Sequence, residues 1–106
     1  MGAKPRPKQE RLGGKLLQIR DALELSQTAM LKRLGVEDLI PYTQISKYES
    51  GVSDPPLIIL LRYTYAAGVH MEALVDDELD LPDKLPGMAK HDEIRRAHAT
   101  RRKKKR

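Results

Sequence analysis

At 106 residues the chain has room for one small domain and flanking tails, not for two cores. Cys, Phe and Trp are absent, which excludes disulfides, zinc fingers and thiol catalysis and leaves Leu, Ile, Val, Ala and Met to build a helical core. The net charge of +5 is uneven: four basic residues face one acidic over 1–11, six face eleven over 12–81, and ten face three over 82–106.

In chain order, residues 1–9 are polar and interrupted by Pro5 and Pro7, so they read as a basic, disordered arm. That basic start lacks the apolar stretch of a secretory signal, and no apolar run approaches the roughly 20 residues of a membrane span. From residue 10 to 23 apolar side chains recur at Leu12, Leu16, Ile19 and Leu23, with Leu17 beside them, which is a helical period. Ser26 is a good N-cap for a second helix through Leu34, whose apolar set is Ala29, Met30 and Leu34. Gly35 ends it, since a left-handed exit is free only for glycine.

Residues 36–41 read as a loop, with Pro41 in the first turn of a third helix over 42–50 whose Ile45 and Tyr48 face inward. After a turn at 52–55, Pro56 starts a fourth helix to Ala67, with Leu57, Leu60, Leu61 and Tyr63 assigned to the core, and Gly68 breaks it. A short fifth helix runs from Met71 to about Glu78, with Met71, Leu74 and Val75 toward the bundle. Past Leu81 the period stops. Residues 88–106 hold nine Lys/Arg and only Met88 and Ile94 as sizeable apolar residues, too few for a core. The expectation is an all-α fold: a compact five-helix domain over 10–81, a basic arm at 1–9 and a basic tail at 82–106, both tails disordered.

Two short helices with a polar face on the second are the minimum apparatus for placing side chains in a DNA major groove. Thr43, Gln44 and Lys47 share one face of the third helix, opposite Ile45 and Tyr48, with Ser46 at its edge. Gln suits adenine, Lys suits guanine, and the Thr methyl suits the thymine methyl. The acidic middle would repel phosphate, so the tails would supply much of any nucleic-acid affinity. The plainer reading of the same charges is that they keep the chain soluble.

Leu12-Gly13, Arg20, Leu25-Ser26-Gln27, Gly35-Val36, Ile45-Ser46, Glu49-Ser50-Gly51, Pro55 and Ala67-Gly68-Val69 stand in an order and spacing that resembles the Xre/Cro-type helix-turn-helix of phage repressors and bacterial regulators. The resemblance implies a repressor-like domain and a sequence-specific, DNA-binding transcriptional regulator, more often a repressor than an activator. It also implies a cytoplasmic, nucleoid-associated bacterial protein that binds double-stranded DNA, needs no cofactor and can form a homodimer. Residue by residue, Ser26 and Gln27 resemble the phosphate clamp at the start of the second helix. Tyr42, Thr43, Gln44 and Lys47 resemble the base-contacting face, Ser50 a further phosphate contact, and Arg20 with Glu49 a structural ion pair. Val52 and Asp54 stand where relatives often carry a basic residue.

Three positions depart from the family pattern. Leu31 replaces a small alanine, which predicts a wider crossing of the two motif helices. Glu24 replaces a glycine. The stretch from Gly35 to Ile45 is about four residues longer than the usual turn, which predicts an extended loop over 37–40.

Other readings compete. The four tyrosines suit core or edge packing better than base stacking, with only Tyr42 placed to meet DNA. His70, His91 and His98 lack the arrangement of metal ligands, so no metal is expected. The acidic run 76–80 lacks the glycine and ligand rhythm of a calcium loop and reads as a solvated helix end or a docking patch for the basic tail. The block at 101–106 suits a nuclear import signal in a eukaryote or a nucleic-acid-binding arm in a bacterium. No nucleophile, general base and oxyanion donor assemble, so an enzyme is not expected. Two rival functions stay open: a protein-interaction adaptor like the eukaryotic multiprotein-bridging coactivators, with an acidic protein partner for the basic tail, and the antitoxin of a toxin–antitoxin pair.

Overall fold

The apolar period of the first helix sets the spine of the core: Leu12, Leu16, Ile19 and Leu23 are all buried, while Leu17 lies at the rim. The structure, a computed structural model, describes residues 9–87. It places helices at Leu12–Ala22 (α1), Gln27–Leu34 (α2), Thr43–Glu49 (α3), Leu57–Ala67 (α4) and Met71–Val75 (α5), with no strand among the described residues. α1 packs against α3, α4 and α5, and α2 packs against α3 and α4. The expected arm and most of the expected tail lie outside the described residues.

Local chemistry explains the boundaries. Ser26 caps α2, its hydroxyl accepting the Ala29 N–H at 3.1 Å, and Gly35 leaves the helix at a φ of 71°. Glu24, where the resemblance implies glycine, holds a left-handed φ of 56°, a conformation in which a side chain is strained. Pro41 stands one residue further out than expected, just before the N-cap Tyr42, and its carbonyl accepts the Gln44 N–H at 3.1 Å. Pro56 likewise caps α4 from an extended conformation rather than opening its first turn. α5 stops at Val75, three residues short of expectation, and Asp76 is extended.

The long connection from α2 to α3 is not extended. Val36 is buried, its carbonyl accepts the N–H groups of Leu39 and Ile40 at 2.9 and 3.2 Å, and Ile40 packs against the core. The extra residues form a tight, anchored turn. Leu31 is buried in the core beside it.

Two assignments need correction. On α4 the buried residues are Ile59, Leu60, Tyr63, Thr64 and Ala67, whereas Leu57 is 75 % exposed and Leu61 36 %. Leu85 is buried in the same core as Leu81, so the folded unit reaches beyond residue 81. Gly87 lies so close to the backbone of Ala66 and Ala67 that a side chain there has no space.

α1 and α5 cap each other. α1 has no capping side chain of its own, but the Asp77 carboxylate accepts the N–H groups of Glu10 and Arg11 at 2.8 and 3.1 Å. In return Lys15, only 2 % exposed, donates to the carbonyls of Ala73 and Asp76 at 2.8 and 2.7 Å, where α5 ends. Burial pulls the Lys15 pKa below the ordinary lysine value, and the carbonyls replace the water it has lost. The Arg11 guanidinium completes the clasp on the Asp77 and Leu79 carbonyls and the Asp80 carboxylate. The acidic run, read from sequence as a solvated end or a patch for the tail, is thus engaged by α1.

Candidate nucleic-acid interface

α3 is short, seven residues, and is held by what it buries. Ile45 and Tyr48 sit in the core, while Tyr42, Thr43, Ser46 and Lys47 are exposed. Ser46 and Lys47 lie three and four residues after Thr43 on the helix, so the three form one outward face. Gln44 is only half-exposed, and its side chain hydrogen-bonds Tyr48 one turn on. Desolvation first of all pushes the Tyr48 phenol up, and the Gln44 bond opposes that. The spacing of Gln44 and Tyr48 carried this bond in the sequence. Ser46, assigned to the edge, is as open as its neighbours.

Ser26 and Gln27 stand at the start of α2, apart from the α3 face in sequence but on the helix packed against it. The Ser26 hydroxyl is already engaged by Ala29. Ser50 is exposed and donates its hydroxyl to the Lys47 carbonyl at 3.2 Å. Neither hydroxyl is idle, but an oxygen that accepts one bond keeps its own proton to donate, and one that donates keeps its lone pairs.

Behind α3, Arg20 and Glu49 form a bidentate pair. Arg20 Nε donates to Glu49 Oε2 at 2.6 Å and Nη2 to Oε1 at 3.0 Å, while Nη1 donates to the Leu25 carbonyl at 3.1 Å. The hydrogen bond that Arg20 donates to Glu49 is the chief reason the Arg20 pKa is raised. The side chains are 18 % and 7 % exposed, so the pair is shielded and ties α1 to the connection before α2 and to the end of α3. Gly13 lets α1 approach that same end: a Cβ there would stand 2.7 Å from the Glu49 carbonyl oxygen. Tyr63 lies beneath, its hydroxyl fully buried with no hydrogen-bond partner among the described residues. Burial, with a smaller push from Glu49, raises its pKa.

Electrostatics divide the domain. A groove of about 570 Å³ opens between the start of α1 and the end of α3. Among the described residues its lining includes Glu10, Glu49 and Asp54 and no cation, a charge that does not suit phosphate. The outward α3 face carries Lys47, and the last turn of α2 carries Lys32 and Arg33. Among the described residues no cluster of His, Asp or Glu is arranged to hold a metal ion, and no helix is long and apolar enough to cross a membrane. His91, His98 and the basic block at 101–106 lie outside the described residues. No family model matches the chain, and no curated protein or solved structure matches it either.

Proposed function

We propose that the chain is a sequence-specific DNA-binding regulator of transcription that works as a repressor on nucleoid DNA in a bacterial cytoplasm. α3 enters the major groove with Tyr42, Thr43, Gln44 and Lys47 toward the bases. Ser26, Gln27 and Ser50 meet phosphates, and Arg20 with Glu49 hold the angle between α1 and α3. The observation that carries the reading is the division of α3: a face of small polar side chains and one lysine points to solvent while Ile45 and Tyr48 lock the helix to the core. A seven-residue surface helix so firmly held, yet with so open a polar face, suits a rigid reading head. Gln44 reaches a base by exchanging its bond to Tyr48, so its contribution is smaller than that of Lys47.

Selection of bound duplexes from a random pool with the full chain tests this. A preferred site should emerge, and Lys47→Ala should weaken binding to it by about 1–3 kcal/mol while relaxing one position of preference. Equal binding of selected and scrambled duplexes would overturn the reading. The charge of the body favours one rival: eight basic against thirteen acidic residues over 9–87 oppose DNA unless the tails compensate. If no site emerges, the adaptor reading stands, with an acidic protein for the tail.

A further inference from the structure

α4 is apolar on both sides. Its inner face is buried, and its outer face presents Leu57, Ile58, Leu61 and Tyr65, exposed at 75, 45, 36 and 66 %. With 3.6 residues to the turn these four lie within about 100° of arc, an unbroken stripe. Arg62, at its edge, is the single charged residue of the helix. A helix that is hydrophobic all round belongs in an interior. Four large side chains so exposed make a patch of a few hundred Å², the size at which apolar surface marks an interaction site.

The two flanking stretches are poor in apolar side chains to match it. Residues 1–8 offer only Met1 as a large apolar side chain and residues 88–106 only Met88 and Ile94, among twelve Lys and Arg. The stripe does fit itself. Leu57, Leu61 and Tyr65 recur at four-residue steps and form one i±4 ridge, the element that interdigitates in the commonest helix packing. An antiparallel copy centred on Leu61 brings the two Leu61 side chains together at the axis and sets each Tyr65 against the other copy's Leu57. The Tyr65 hydroxyl and the Arg62 guanidinium stay at the rim, in water.

We propose that this stripe is a homodimer interface, made by two-fold pairing of α4 with α4 of a second copy. A two-fold contact uses the same patch twice, as a self-complementary ridge requires. Two such patches with their polar rims approach the roughly 1,000 Å² at which specific interfaces begin. The dimer is therefore a weak one, with subunits exchanging in the micromolar range. The proposal stands whether or not α3 reads DNA.

Sedimentation equilibrium of the full chain from low micromolar to near-millimolar concentration is the test. The mass should rise from one chain to two. Leu61→Lys should weaken association at least about tenfold, with an unchanged helical signal and melting curve at the lowest concentration. The chain has no cysteine, so Leu61→Cys provides an independent reading: oxidation should link it to itself across the axis, whereas Gln18→Cys on α1 should stay unlinked. A chain that remains monomeric throughout overturns the proposal. So does a dimer that is indifferent to Leu61→Lys and gives no link at residue 61.

Discussion

α1 holds the domain with two arginine grips that are alike in chemistry and unlike in setting. At the α3 end, Arg20 pairs with Glu49, with side chains 18 % and 7 % exposed. At the α5 end, Arg11 pairs with Asp80, with side chains 44 % and 82 % exposed. Both guanidiniums also reach backbone carbonyls. The difference is what remains when a partner goes. An exposed arginine turns back to water at little cost, whereas a shielded one keeps a charge that water does not fully reach. Proximity makes an ion pair; shielding makes it structural.

The largest break in that contrast should be Glu49→Ala. It leaves Arg20 uncompensated and uncouples α1 from α3, for an expected loss of about 3–5 kcal/mol in urea unfolding. A variant that unfolds like the parent would make the two grips equivalent. Lys15→Met comes next. It keeps the apolar stem but strands the carbonyls of Ala73 and Asp76, for a loss of about 1–3 kcal/mol, and α5 should lose amide protection before α1 does. An unchanged exchange pattern would mean that α5 is held by its apolar contacts alone.

The smallest effect belongs to Asp77, at the exposed grip. The N–H groups of Glu10 and then Arg11 hold its carboxyl below the ordinary value of 3.8. A carboxyl depressed in the folded state adds stability above its unfolded pKa and loses it as pH falls through the folded one. Asp77→Asn should therefore be less stable than the parent at neutral pH, and the two should converge below about pH 4. Unfolding curves at a series of pH values decide it: a gap that is the same at every pH would mean the charge of Asp77 plays no part.

What could be read from the sequence follows from how local each signal is. α1 and α2 were legible because a clear period, a serine cap and a terminal glycine all lie within a turn of where they act. α4 was legible in extent but not in phase. A helix apolar all round has no pattern to orient it, so the sequence does not tell the exposed Leu57 and Leu61 from the buried Ile59. Lys15 falls on the core face of α1 in the same period as Leu12 and Ile19, but its acceptors lie 58 and 61 residues further along. Nothing near residue 15 announces them. Leu85 was lost for a similar reason: an isolated leucine between Lys84 and Pro86 has no period, and only the surface of the assembled bundle gives it a place. At the candidate interface the exposure of Thr43 and Lys47 is legible from spacing, whereas the full exposure of Ser46 and the half-burial of Gln44 are not. The tie between Gln44 and Tyr48 crosses the border between the polar face and the core face of α3, so a division of the helix into two faces hides it.

The cap on α1 has a consequence for how the chain is made. α1 leaves the ribosome well before α5, and the N–H groups of Glu10 and Arg11 at its leading edge leave with it bare. The carboxylate that satisfies them belongs to Asp77 and is synthesised 66 residues after Arg11. Until then those two N–H groups have only water to bond, and short helices without tertiary support are marginal. A nascent chain stopped after α4 carries the spine of the core yet lacks the Asp77 acceptor at the head of its first helix and the seat for Lys15. The exchange rates of the Glu10 and Arg11 amides report the arrival of Asp77.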